Sequence, residues 1–194
     1  MKLDEYLVLL ESRLSPELYL HSLGVGKSAA DLARCYGEDP QRAYLTGILH
    51  DYGKRYNPET LLHYAGSRGL HLDEITRKEP SLLHAPLGVE LLQEELGLED
   101  ATMLEAIRYH TTGSPGLSLL GKIIFLADAI EDGRDYPGVK ELRKLARLDL
   151  TEALLTVTEN TIKLVLEKRG FLHPHSVFFR NELLCEIKEA GERR

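Results

Sequence analysis

Leucine and alanine recur at intervals of three and four residues along almost the whole chain, and the β-branched alternation that marks strands is scarce. A repeat of 3.6 therefore dominates, and the chain is expected to be all-α. Its punctuation predicts where the helices lie. Ser15-Pro16 and Asp39-Pro40 each put an N-cap side chain before a proline at the first helical position, and Gly37 suits a C-terminal cap, giving one helix from about Pro16 to Tyr36. Asn57-Pro58, Asp100, Asp149 and Ser176 are further N-cap candidates, and Gly97 and Gly170 read as stops. The expected product is a bundle of roughly eight to ten helices with short loops. Irregular stretches fall near Gly66 to Pro80, Thr111 to Gly116 and Glu131 to Gly138, none with the look of a flexible linker. At 194 residues the chain favours one domain, with a core over about 14–172 and peripheral segments at both ends.

Composition narrows the function classes. With 24 Lys and Arg against 31 Asp and Glu, the formal charge of -7 gives no general pull toward nucleic acid or an anionic membrane. Apolar runs such as Ile123 to Ala127 fall far short of the roughly 20 residues of a membrane span. The first ten residues interleave Lys2, Asp4 and Glu5 with Leu3, Leu7 and Leu10, unlike a secretory leader, so a cytoplasmic protein is expected, with Cys35 and Cys185 as reduced thiols.

Placed on these helices, several ionisable residues fall where core residues belong. His21 lies on the stripe of Leu14, Leu18, Val25, Ala29 and Leu32, and His50, followed by Asp51, closes the helix carrying Ala43 and Gly47. His84 leads the stripe of Leu87, Gly88 and Leu91; His110 ends that of Met103, Ala106 and Ile107; Asp128 follows Leu117, Leu120 and Ile124 at helical intervals. Burying such groups is costly unless they are paired, hydrogen-bonded or bound to metal. One inward histidine is ordinarily a hydrogen-bonded core residue, and one inward aspartate a cap or ion-pair partner. Four histidines and two aspartates exceed what a core can partner separately, so convergence on metal is the economical account. Imidazole with carboxylate suits iron, manganese, cobalt or zinc, and six ligands point to two ions bridged by a carboxylate. Gly24 to Ser28 reads like the end of a phosphate-binding loop, but His21 stands where its first glycine belongs and no strand precedes it. Lys27, nearly two turns from His21, is either a solvated helix lysine or a contact for an anion near the metals.

The series His21-Ser22-Leu23-Gly24-Val25, Leu49-His50-Asp51-Tyr52-Gly53-Lys54, His84-Ala85-Pro86-Leu87-Gly88, His110-Thr111-Thr112-Gly113 and Ala127-Asp128-Ala129-Ile130-Glu131, followed by Arg134-Asp135-Tyr136-Pro137-Gly138, resembles the bacterial YqeK family of HD-domain phosphohydrolases, the symmetrical diadenosine tetraphosphate hydrolases. The likeness runs from about Leu14 to Leu172. It implies a helical HD domain in which His21, His50, Asp51 and Asp128 hold one metal and His84 and His110 the second, with Asp51 bridging. It also implies iron, which nothing in the spacing separates from manganese or cobalt. The sequence departs from the family at Asp132, where proline is common.

A tetraphosphate is strongly anionic, so an acidic protein must offset its charge locally, through the metals and through Lys27, Lys54 and Arg134. The reading assigns catalysis to Asp51, Lys54 and Arg134, with a hydroxide activated by two metals attacking a β-phosphorus and expelling ADP, which leaves two ADP. Substrate contacts are assigned to His21, Gly24, Lys27, Lys54, His110, Thr111, Thr112, Gly113, Arg134 and Tyr136. His63, His71, His173 and His175 are expected at the surface or as caps. The partners expected are a dinucleoside polyphosphate and its ADP product, with no nucleic acid or membrane and a homodimer as an open option. The competing readings are another HD-type nucleotide phosphohydrolase or phosphodiesterase, or a non-catalytic nucleotide-binding sensor.

Overall fold

The computed structural model describes residues 2–70 and 72–192, so Met1, His71, Arg193 and Arg194 lie outside the described residues. Among these residues there is no strand; eleven α-helices follow in order as α1 (Leu3–Arg13), α2 (Pro16–Tyr36), α3 (Pro40–Leu49), α4 (Pro58–Ser67), α5 (Glu74–Lys78), α6 (His84–Leu96), α7 (Ala101–Tyr109), α8 (Leu119–Ile130), α9 (Val139–Leu148), α10 (Leu150–Glu167) and α11 (Pro174–Glu192). Short 3-10 turns at Tyr52–Arg55 and Pro80–Leu83 precede α4 and α6. No helix of the described residues is long and apolar enough to cross a membrane.

The caps act as their chemistry dictates. The Ser15 hydroxyl accepts from Leu18 N–H, Asp39 from Gln41 and Arg42, Asn57 from Thr60, Asp100 from Thr102 and Met103, and Asp149 from Glu152. Three expectations change in detail. The stretch around Gly66 to Pro80 contains α5, because Asp73 caps a helix there by accepting from Thr76 N–H at 2.9 Å. Ser176 is not an N-cap: α11 starts two residues earlier, the His173 ring accepts from His175 N–H at 3.2 Å, and Ser176 is buried with its hydroxyl on the Thr112 carbonyl at 2.9 Å. Gly170 is displaced by one position from the left-handed stop, which Arg169 occupies at φ 53°, while Gly170 N–H closes the turn on Val165.

Helix α8 is the hub, with Ile123, Ile124, Leu126 and Ala127 fully buried, and α2, α3, α7, α9 and α10 pack around it. Two close approaches set the geometry of the centre. Gly47 of α3 faces Gly26 of α2 so closely that a Cβ on Gly47 would stand 2.7 Å from Gly26 Cα. A Cβ on Gly53 would overlap the His84 carbonyl, so glycine is what allows the turn after Asp51 to rest directly on the start of α6.

Candidate metal centre

Three histidines are set by one local device. Each stands at the end of a helical turn and folds its ring back on the carbonyl three residues earlier: His50 Nδ1 on Gly47 O at 2.7 Å, His84 Nδ1 on Ser81 O at 2.6 Å and His110 Nδ1 on Ile107 O at 2.7 Å. A carbonyl only accepts, so Nδ1 carries a proton, and in the neutral ring Nε2 keeps its lone pair. His21, inside α2, reaches the same tautomer by donating Nδ1–H to the Glu131 carboxylate at 3.2 Å. This is the arrangement that prepares imidazoles for metal, in which the outer nitrogen is committed to a carbonyl or carboxylate.

The four Nε2 atoms meet Asp51 from two sides. Its Oδ2 lies 3.2 Å from His50 Nε2 and 3.6 Å from His21 Nε2, while its Oδ1 lies 3.4 Å from His84 Nε2 and 3.3 Å from His110 Nε2. Asp128 Oδ1 joins the first side, 3.1 Å from His21 Nε2 and 3.9 Å from His50 Nε2. Donors bound to one ion at about 2.1 Å, at tetrahedral to octahedral angles, stand roughly 3.0–3.4 Å apart, so the spacing is that of a ligand shell. Hydrogen bonds do not explain it. His21 Nε2, His50 Nε2 and Asp51 Oδ1 are buried without a hydrogen-bond partner, and His84 Nε2 faces His110 Nε2 at 3.1 Å. With both Nδ1 atoms protonated and both rings neutral, two lone pairs point at each other, a repulsion that a cation between them would relieve. His50 and Asp51 are fully buried, His84 and His110 nearly so. The donor set fits a transition metal.

Electrostatics follow from the crowding. Burial raises the Asp51 carboxyl, but His50 and then His110 outweigh it and hold Asp51 well below the ordinary carboxylate range. Burial likewise opposes ionisation of Asp128, and the His21 hydrogen bond and His50 charge overcome it, lowering its pKa. For His50, burial lowers and the Asp51 and Asp128 carboxylates raise, with a net shift above 6.5. Burial, reinforced by His110, pushes His84 down to about 3, keeping it neutral.

The rim cations sit on the acids. Lys54 Nζ donates to Asp51 Oδ2 at 2.7 Å, and Arg134 donates to the Asp128 carboxylate at 2.5 Å and its backbone carbonyl at 2.8 Å, both side chains 39% exposed. Arg143 braces the loop bearing Arg134, donating to the carbonyls of Ile130, Glu131 and Arg134. Tyr136 donates its hydroxyl to Ala129 O at 2.8 Å. Lys27 is exposed on α2. Gly24 packs on Glu131, whose carboxylate a Cβ would strike. Thr112 is turned inward with its hydroxyl on Gly113 O at 2.9 Å, Gly113 takes φ 66° against Phe179, and Thr111 stands half-buried beside them. His63 is exposed, whereas His173 and His175 are half-buried and line a cavity of ≈ 400 Å³.

Sequence reasoning missed Glu131 as a site residue. It is 5% exposed, it holds His21, and it accepts from Gly133 N–H at 2.6 Å. Its signal was the matched spacing: Glu131 lies three residues after Asp128, and the small Gly24 three residues after His21.

Comparison with known proteins agrees with this geometry. The HD domain model matches residues 18–133. The chain is 41% identical to the symmetrical bis(5'-nucleosyl)-tetraphosphatase of Halalkalibacterium halodurans, over 97% of this chain and 100% of that one. It is 38% identical to the protein of the same name from Bacillus subtilis, over 95% and 98%. A crystal structure of an HD-superfamily hydrolase from Clostridium acetobutylicum, described as involved in NAD metabolism, matches with a TM-score of 0.91 at 40% identity, covering 96% of this chain and 98% of that one. With the His50-Asp51 doublet at the middle of the cluster and relatives aligned nearly end to end, the chain belongs to the HD-domain family, and within it to the family of the symmetrical bis(5'-nucleosyl)-tetraphosphatases.

Proposed function

We infer that this chain is a metal-dependent hydrolase of diadenosine tetraphosphate that breaks the central anhydride, one water and one substrate giving two ADP. The relatives' names support the substrate. The observation that carries the metal dependence is the pair of Nε2 lone pairs facing each other across 3.1 Å beside an unpartnered Asp51 oxygen. His21, His50, Asp51 Oδ2 and Asp128 would hold one ion and Asp51 Oδ1, His84 and His110 a second, with Asp51 as the bridge. Iron is the metal proposed. When bound, such ions supply activation of water and Lewis-acid polarisation of phosphoryl oxygens.

The protein's own groups do the rest. Ser81, Ile107 and Gly47 carbonyls and the Glu131 carboxylate hold the four rings in one tautomer. Lys54 and Arg134 each use part of their donor set on a ligand carboxylate, and an ammonium with three N–H groups or a guanidinium with five retains donors for phosphate oxygens. They would hold the leaving ADP while Asp51 and Asp128 stay ionised. We read residues from about 14 to 172 as the functional domain.

Chromatography of the first products tests this. Metal-loaded protein should turn diadenosine tetraphosphate into ADP alone. ATP with AMP would overturn the symmetrical reading even with the metal centre intact.

A further inference from the structure

Tyr52 stands between the bridging Asp51 and the Gly53 that rests on α6, and the hydrolytic reading gives it no part. Its side chain is fully buried, and its hydroxyl lies where the last residue of α1, the turn after Asp51 and the last turn of α6 meet. There the oxygen has no capacity left. It accepts from Arg13 Nη1 and, at 3.1 Å, from Arg55 Nη1, and it donates to Glu95 Oε2 at 2.9 Å. Both guanidiniums also donate to the Glu95 carboxylate, and that of Arg55 lies over the Tyr52 ring, 4.4 Å from its centroid. Isolated surface ion pairs are worth little, but this set closes on one hydroxyl of a buried side chain next to the bridging carboxylate.

Geometry gives the set a task. Asp51 Oδ1 has no hydrogen bond, and its distances to His84 and His110 depend on where the backbone of the turn sits against α6. Gly53 touches α6 at its first residue, His84, and a turn held at one point can pivot about it. Glu95 is eleven residues further on, about 16 Å at a rise of 1.5 Å per residue, so the Tyr52 hydroxyl pins the turn to the same helix near its other end. Toward His50 no such pin is needed, because Asp51 follows it directly in the chain.

We propose that Tyr52, clamped by Arg13, Arg55 and Glu95, is a positioning residue that sets the register of Asp51 against His84 and thereby the affinity of the metal position on the His84 side. Helix α1, which the sequence placed at the periphery, contributes to the centre through Arg13. The inference rests on the metal centre of the reading given under Proposed function, and metal binding measured apart from turnover separates the two. Metal-free protein is titrated with manganese in a calorimeter. Tyr52→Phe, which keeps the ring, should weaken one of two binding events on the order of tenfold, the low end of what outer partners of metal ligands are worth, and leave the other unchanged. Arg13→Met should weaken the same event to a smaller degree. In a His84→Ala background Tyr52→Phe should add nothing, because the position it serves is already lost. Tyr64→Phe is the matched control: Tyr64 donates to Glu94 of the same helix at 2.8 Å, with Arg68 over its ring, but adjoins no ligand, so both affinities should stay at the wild-type value whatever happens to Tm. Wild-type manganese affinities in both Tyr52→Phe and Arg13→Met, or equal weakening in Tyr64→Phe, would overturn the role. Weakened binding in Tyr52→Phe of a protein that leaves diadenosine tetraphosphate uncut would uphold it and remove the hydrolytic reading instead.

Discussion

Asp51 spends its two oxygens on two different groups of histidines and so links the two halves of the centre. Asp51→Ala should therefore empty both metal positions, and His84→Ala chiefly one, when metal per chain is measured by elemental analysis. Equal losses in the two variants would mean the halves are not separable. Glu131 acts through His21: in Glu131→Gln the acceptor for Nδ1–H survives but its charge does not. Outer partners of metal-bound histidine are worth about 10–100-fold in affinity or activity, so kcat should fall within that range. The expected accompaniment is a weaker metal affinity by competition with a chelator, which a merely structural glutamate would not alter.

At the scale of elements, the site depends on how closely short segments can approach. Gly53 rests against the His84 backbone, and a backbone neighbour cannot swing aside as a side chain can. Gly53→Ala should cost about 1–3 kcal/mol, as overpacking does, lowering the denaturation midpoint and loosening the contact between the Asp51 turn and α6. Metal retention in mild denaturant should fall with it. A variant with unchanged stability and metal would show that the turn relaxes without cost. The repeated device of a ring folded on the carbonyl three residues back has a related logic. Carbonyls in the last turn of a helix lack an intrahelical donor, and a histidine placed just there satisfies one while aiming its other nitrogen outward.

For the whole molecule, metal and folding are coupled because the six donors converge only in the folded chain. An ion held at about one hundred times its Kd adds roughly 2.7 kcal/mol. At about 2–4 °C per kcal/mol for a chain of this size, a chelator should lower Tm by roughly 5–10 °C, and metal should restore it. A Tm indifferent to chelator would contradict the metal centre. The metal-free chain should also be most stable near pH 6.5. His84 is neutral when folded down to about 3 but takes up a proton near 6.5 when unfolded, so stability is lost as pH falls below 6.5; Asp51 and Asp128, both depressed, add to the loss below 3.8. His50 is shifted upward, so its contribution is full below 6.5 and is lost as pH rises through its folded value. Thermal melts across pH 4 to 9 with chelator present test the sign, and His84→Gln should flatten the acid side.

What the sequence by itself determined is whatever acts over one or two helical turns. Period 3.6 set the all-α class, Ser15, Asp39, Asn57, Asp100 and Asp149 set helix starts through their own side chains, and inward placement singled out His21, His50, Asp51, His84, His110 and Asp128. The motif series also carried the family. Tertiary structure alone decided which oxygen of Asp51 meets which rings, that Lys54 and Arg134 lie on the Asp51 and Asp128 carboxylates, that Glu131 stands behind His21, and that His173 and His175 line a cavity beside the turn after His110. These depend on contacts between segments up to 110 residues apart, and their register is set by packing at places such as Gly47 against Gly26. A side chain's local preferences fix its helix and its face; only the fit of one helix surface into another fixes which of its atoms meets which partner.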